Sequence, residues 1–407
     1  MTWRDVEAVD IRAAQRGAAE RIGDLAVGTT SPRVLALVHP EMMAGCTAWR
    51  IAQPFSELHR RGYPVGWCAV GDARSADWLR DADAVVMARL EWAPEQDWVA
   101  DRWVALMHGL GTTVIYETDD DLYSEESIDR IRVTGDPAQA NKPQELMERE
   151  RQARILPLAL SDGVTVATPR LAEVVSRFTD KPVIVVPNAI DLPRFRAGVE
   201  KYGPKRGALD PDRPLTIGWA GGNRPDEDAR HLAVAWTRIA NRYPDVRFLV
   251  GGYPLGVLLR SVDADRLTLR PKETIERYPG LMAEIDILCC PLEANTFNAS
   301  KSPIKALEGA AAGSAVLASP TVYRHLIDHG EDGLICTNAD DWEASLSWLI
   351  EDRARRRHFA DRLLQKVESL HSLQANAHRW PAAWSHLVAD YTARQAGIPT
   401  TVGGTDG

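Results

Sequence analysis

The sequence predicts an α/β protein with two doubly wound parallel sheets, on three observations. Short apolar runs recur along the chain, separated by segments of helical apolar spacing, as buried parallel strands and their crossover helices require. The alternation breaks off over Leu192–Arg213, rich in Pro, Gly, Lys and Arg, and then restarts. Glycines and carboxylates follow directly on strand ends, where open α/β sheets bind their ligands.

In the first half, Arg33–Val38, Val65–Val70, Ala84–Ala88, Thr113–Tyr116, Val164–Ala167 and Val183–Val186 read as strands. Pro54–Arg61, Trp98–Gly109, Pro143–Leu158 and Pro169–Phe178 read as helices between them. In the second half, Leu215–Trp219, Val246–Val250, Leu267–Leu269, Ile287–Pro291, Ala315–Ala318 and Gly333–Cys336 are the strands. Asp228–Arg242, Trp342–Leu349, Arg353–Leu370 and Trp380–Tyr391 are helices. The expected organisation is a helical extension over 1–32, a first Rossmann-like domain over 33–195, a link over 196–213 and a second such domain over 214–378. A helix over 379–395 is expected to pack back towards the first domain, and a disordered tail over 396–407 follows.

The 407 residues suffice for two or three domains with sizeable cores. A net charge of −9 argues against general nucleic-acid affinity. The five cysteines are odd in number and lack metal-ligand spacing, which points to a reducing compartment and a cytoplasmic location. Cys289–Cys290 ends an apolar run and reads as small core filler. The N-terminus has no apolar signal core, and no run is long and uncharged enough to predict a transmembrane span.

Phe297–Gly313 carries the densest chemistry. Ser302 reads as an N-cap, Pro303 as the first helical residue and Gly313 as the residue that closes the helix. Ile304, Leu307 and Ala311 fall on one face, expected to be buried, with Lys305 and Glu308 on another. Ser300, Lys301, Ser302 and Lys305 thus surround a helix N-terminus, a place for a phosphate. Glu308, one turn deeper, can accept from sugar hydroxyls. The plain alternative is a capped helix with an i,i+3 ion pair.

Gly221-Gly222-Asn223-Arg224 follows the first strand of the second half and permits close backbone approach to a phosphate. It is not a G-x-G-x-x-G fingerprint, which disfavours a dinucleotide cofactor. Asp119-Asp120-Asp121 follows a buried strand; adjacent carboxylates repel one another unless solvated, paired or bound. A metal site, a general base, hydrogen bonds to sugar hydroxyls, or plain capping of the next segment would each account for them. His39 and His108 read as structural, and no P-loop, G-x-S-x-G or H-E-x-x-H accompanies them.

Taken in order, these residues resemble the GT-B glycosyltransferases, specifically the retaining, family 4-like group. Pro187-Asn188-Ala189-Ile190-Asp191 is similar to the Pro-Asn-Gly-(Val/Ile)-Asp that closes the N-terminal domain of that family. Ile217–Gly222 resembles the first strand and glycine turn of its donor domain, and Tyr278-Pro279 through Asp286-Ile287 to Pro291-Leu292 the segment before the donor motif. Phe297-Asn298-x-Ser300-Lys301-Ser302-x-x-Lys305-x-x-Glu308 resembles a Phe-Asn-x-Ser-Lys-Ser variant of that motif. Gly313–Ala318 resembles the Gly-x-Pro-Val-Val-Ala strand, and Val114–Asp121 an Asp-Asp-Asp segment of the same subgroup. In one departure, Ser300 stands where the family often has the first of two glutamates.

The resemblance implies two facing Rossmann-like domains with a cleft between them. It implies transfer of a hexose or pentose from a nucleotide-diphosphate sugar, UDP-sugar first and GDP-sugar second, to an acceptor hydroxyl with retention. No tightly bound cofactor or metal is implied. Gly221, Gly222, Asn223, Arg224, Asn298, Ser300, Lys301, Ser302 and Lys305 would hold the donor, with Glu308 on the ribose. Asp119 and Asp120 would be catalytic, and Gly45, Arg50 and Asp121 would meet the acceptor. That acceptor is a glycan, lipid, small molecule, protein or modified nucleobase. The rival readings are a nucleotide-sugar epimerase or phosphorylase, a non-catalytic nucleotide-sugar or glycan binder, and a Rossmann oxidoreductase.

Overall fold

A computed structural model of the chain describes residues 31–38, 45–69, 79, 81–89, 97–127, 143–204, 213–222 and 225–398. Most of the expected extension over 1–32, and His39, Asn223, Arg224 and residues 399–407, lie outside the described residues.

Two six-stranded sheets, all parallel, form two compact units. The first unit takes the described residues up to 127, those of 143–188, and those from 376 onward; the second takes 189–375. The first sheet is built from β1 (Val34–Val38), β2 (Val65–Ala69), β3 (Ala84–Ala88), β4 (Thr113–Thr118), β5 (Gly163–Val166) and β6 (Val183–Val185). Its order is β2-β1-β3-β4-β5-β6, with Val34 beside both Val65 and Ala84. The chain runs one way from β1 to β2 and the other way from β3 onward, so the order reverses between β1 and β3. Every residue of β1, β3 and β4 is buried; β1 and β3 are the unbroken apolar runs expected of strands covered on both faces, whereas β4 also buries Thr113, Glu117 and Thr118.

The second sheet comprises β7 (Thr216–Gly221), β8 (Arg247–Gly252), β9 (Leu267–Arg270), β10 (Ile287–Cys290), β11 (Ala315–Ala318) and β12 (Leu334–Ile335). Its order is β12-β11-β10-β7-β8-β9, which reverses between β7 and β10. Trp219, Trp236, Phe248 and Trp342 anchor its core, with Trp236 and Phe248 centroids 5.0 Å apart. Cys289 and Cys290 are fully buried there, and all five cysteines are free.

In the first unit a π-helical turn, Ala48–Ala52, runs into α1 (Gln53–Arg60), followed by α2 (Asp97–Gly109), α3 (Gln144–Leu160) and α4 (Pro169–Val175). Thr168 caps α4 by accepting the Leu171 N–H at 3.1 Å. The link expected over 196–213 is corrected. A helix, α5 (Leu192–Tyr202), fills its first part, capped by Asp191 and burying Leu192 and Phe195, and the unit boundary lies earlier, at 188/189. The second unit adds α6 (Arg230–Arg242), α7 (Tyr278–Met282), α8 (Thr296–Ala299), α9 (Ile304–Ala312), α10 (Ala339–Glu351) and α11 (Arg353–Lys366); α12 (Arg379–Gln395) returns to the first.

Two readings of Phe297–Gly313 change. Its polar start contains α8, capped by Asn295, whose Oδ1 accepts the Asn298 N–H at 2.8 Å. Helix α9 then begins at Ile304 with Pro303 in the cap position, so Ser302 is not the cap. Gly313 does close the helix, at φ 82°. Residues 306–311 are all buried, Glu308 included, because α9 is apolar nearly all round. Gly309 permits this depth: a Cβ there would stand 2.5 Å from Leu288 of β10 and 3.0 Å from Val316 of β11.

Among the described residues no helix is long and apolar enough to cross a membrane.

Candidate functional site

Each sheet has a point where its strand order reverses, and ligands of open α/β sheets bind outside the carboxyl ends of the strands there. In the second unit the residues after β7 and β10 occupy that place. Gly221 ends β7, and Gly222 follows with open space where a Cβ would project. Gly252 closes against the same turn at φ 84°, so near that a Cβ would fall on the Gly221 carbonyl oxygen. The Tyr253 N–H donates to that carbonyl at 2.9 Å.

Asp228, not singled out in the sequence, clips these two loops together. It is 6% exposed, and its Oδ1 accepts the Glu293 N–H at 3.1 Å and the Asn298 Nδ2 at 2.7 Å. Its signal was its position after β7, masked by reading it as an ordinary helix start. Asn298 and Ser300, expected to face a donor, are interior instead. Asn298 also donates to the Glu293 carbonyl, and Ser300 Oγ donates to the Thr296 carbonyl. Their hydrogen bonds shape the loop that carries Lys301. The Lys301 ammonium sits 4.1 Å from the Phe297 ring centroid, a cation–π contact.

On α9, Lys305 and Glu308 form the i,i+3 pair. Lys305 Nζ donates to Glu308 Oε2 at 2.7 Å and to the Tyr278 hydroxyl at 2.6 Å, and that hydroxyl donates to the same Oε2 at 2.9 Å. The side chains are 14% and 5% exposed, so water screens this charge-assisted cluster little. Lys305, expected on a phosphate, is committed to this cluster. Glu308 Oε1 makes no hydrogen bond among the described residues and remains an acceptor for an incoming hydroxyl.

In the first unit, Asp119 and Asp120 follow β4 and Arg89 follows β3. Arg89 Nη1 donates to Asp119 Oδ1 at 3.2 Å, lies 3.5 Å from Asp120 Oδ2 and meets Cys46 Sγ. Cys46, Asp119 and Asp120 offer ligand atoms all within 4.8 Å of one another, a spacing a metal ion could use. The Arg89 guanidinium supplies a positive charge at the same place. Burial pushes the Cys46 thiol well up, as does Asp119 beside it.

Asp121 is corrected to a cap: its carboxylate accepts the N–H groups of Tyr123 and Ser124 and the Ser124 hydroxyl, and it is 1% exposed. Arg50 is corrected to a core residue. Its guanidinium forks onto Glu117 at 2.6 and 3.2 Å, donates to the Val186 carbonyl at 2.6 Å and to Asn188 Oδ1 at 2.9 Å, and lies over the Trp380 ring. At 2% exposure it presents no surface to an acceptor. Gly45 is exposed at φ 70° and keeps the chain turn open. His108 pairs with Asp162 at 3.0 Å, a structural role.

Comparison with known proteins then bears on the second unit. Residues 214–352 match the family described as glycosyl transferases group 1. The match lies wholly within the second unit. The match spans Gly221, Gly222, Asp228, Tyr278, Lys305 and Glu308. No curated protein matches the sequence. Among solved structures, HepE of Anabaena in complex with UDP-glucose is similar at a TM-score of 0.60 and 14% identity, over 87% of this chain and 99% of that one. HepE with UDP and glucose gives 0.60 and 15% over 87% and 99%. Sucrose-phosphate synthase from Thermosynechococcus elongatus gives 0.58 and 14% over 88% and 99%. The fold is that of the GT-B glycosyltransferases.

Proposed function

We propose that the protein is a glycosyltransferase that moves a sugar from a nucleotide-diphosphate sugar to an acceptor hydroxyl with retention of configuration. The observation that carries this reading is Glu308. Inside the group 1 domain, Lys305 and Tyr278 hold one carboxylate oxygen while the other is left without a partner among the described residues. A fixed, desolvated carboxylate of this kind suits the paired hydroxyls of a ribose. UDP-sugars come first among donors, because HepE, similar in fold, is described in complex with UDP-glucose.

Gly222 gives the donor diphosphate close backbone approach, Lys301 and Arg224 supply cationic groups, Ser302 a hydroxyl and Asn223 an amide N–H. Lys305 acts on the donor through Glu308. In the first unit, Asp119 and Asp120 accept hydrogen bonds from the acceptor or the reacting sugar. No resident metal is needed, since positive side chains and helix N-termini stabilise the departing diphosphate. We place the enzyme in the cytoplasm, where nucleotide sugars and reduced thiols coexist.

The test is turnover of UDP-, GDP- and ADP-sugars with mass-spectrometric detection of glycosylated products, and NMR assignment of the product anomer. Glu308→Gln is expected to raise donor KM about 10-fold with a smaller change in kcat. Unchanged kinetics in that variant, or conversion of donor to an isomeric nucleotide sugar without acceptor, would sink the reading.

A further inference from the structure

Among the described residues one non-glycine residue has positive φ, and it is Arg89, at 49°. This left-handed conformation crowds the Cβ of any L-residue, so glycine is its ordinary occupant. An arginine held there points to use of its side chain, since strained backbone clusters at functional positions. The side chain is where chemistry is expected: directly after β3, beside the reversal point between β1 and β3. Its backbone is pinned as well, the Arg89 N–H donating to the Glu117 carbonyl at 3.0 Å.

Asp119 and Asp120 are adjacent carboxylates, 11% and 23% exposed, so water screens their repulsion incompletely. Arg89, 16% exposed, is a cation that faces both. Cys46 Sγ accepts from the same Arg89 Nη1. Its Nε is buried with no hydrogen-bond partner, so the guanidinium is turned towards the carboxylates at the expense of another of its own bonds.

We propose that Arg89 is the positioning residue of the Asp119–Asp120 pair, fixing the orientation of Asp119 and offsetting the repulsion between the two carboxylates so that both face an incoming hydroxyl. The inference rests on the glycosyltransferase reading for what that hydroxyl belongs to, but the geometry stands apart from it.

Arg89→Gly is the informative variant, because it removes the side chain while relieving the backbone. It is expected to fold with a cooperative melt and to keep donor KM within about twofold, while kcat falls about 10- to 100-fold. Arg89→Lys keeps the charge without the planar fork and is expected to recover part of that loss. In an Asp119→Asn background, Arg89→Gly is expected to add less than about twofold, because the two act as a unit. In a crystal structure of Arg89→Gly, the Asp119 carboxylate is expected to leave its present orientation. Full kcat in Arg89→Gly, multiplicative losses in the double variant, or an unmoved Asp119 would each overturn the proposal. A parent protein that transfers sugar from no nucleotide sugar overturns the functional reading alone, and the Asp119 orientation still decides the role of Arg89.

Discussion

Lys305 and Glu308 stand one helical turn apart, 2.7 Å from each other, and share the hydroxyl of Tyr278. Removing the lysine leaves a nearly buried carboxylate facing a single neutral donor. Removing the charge of the glutamate leaves a neutral amide that still accepts from both partners. Lys305→Met is therefore expected to lose about 3 kcal/mol in urea denaturation, and Glu308→Gln clearly less. Equal losses would mean that the pair does not act as a buried unit.

The two glycines at the end of β7 and β8 should respond in opposite ways. Gly222 has open space beyond its Cα, whereas Gly252 combines a left-handed φ of 84° with a backbone carbonyl in the path of a side chain. Gly252→Ala is expected to cost about 3 kcal/mol or more. Gly222→Ala is expected to leave the melting temperature nearly unchanged while raising donor KM, because its methyl group takes the space given to the phosphate. Calorimetry with UDP separates the two effects.

Arg50 belongs to stability rather than to substrate. Arg50→Met strands Glu117 in the core and is expected to cost about 3 to 5 kcal/mol. A second change, Glu117→Gln, should restore part of that loss, because a buried carboxyl without Arg50 must take up a proton whereas the amide is neutral at any pH, measured as a coupling in a double-mutant cycle.

Burial pushes the Glu117 carboxyl up to about 7 from an ordinary 4.5, against the pull of Arg50 and Thr165. Between those values the folded chain holds a proton that the unfolded chain has lost. The contribution of this group is therefore fully present below pH 4.5 and is lost as pH rises through 7. The stability difference between the parent and Glu117→Gln should shift against the parent across that window. A pH-independent difference would contradict it.

Arg89 already supplies a cation to Asp119 and Asp120 at 3.2 and 3.5 Å. A divalent ion would have to displace it. Transfer is thus expected to survive exhaustive chelation, and an activity restored by added Mg²⁺ or Mn²⁺ would show the carboxylates in another role.

Much of the fold was legible because buried parallel strands leave unbroken apolar runs such as Ala84–Ala88 and Ile287–Cys290, whatever their partners. Helix α5 was not, because Pro193, Arg194, Arg196 and Lys201 hide the sparse apolar residues Leu192 and Phe195 that seat it. Asp119 and Glu308 could be found by their place after a strand or on a helix. The partner of Arg50 lies 67 residues away in sequence, and no local pattern announces an ion pair of that span. Arg89 sat in view at a strand end, but left-handed backbone in an arginine has no sequence signature.

Helix α12 closes the first unit although the whole second unit precedes it in the chain. Trp384 lies 5.1 Å from Phe55, Leu387 occupies the space that a side chain on Gly163 would need, and Arg394 donates to the Asp162 carbonyl at 2.7 Å. During synthesis, β1 to β6 emerge first but cannot complete their packing until residue 395 leaves the ribosome. The contiguous stretch 189–375 can fold while they wait. The last unit to be finished is the first to be translated, and stalled chains ending before 379 should show a protease-resistant second unit beside a susceptible first.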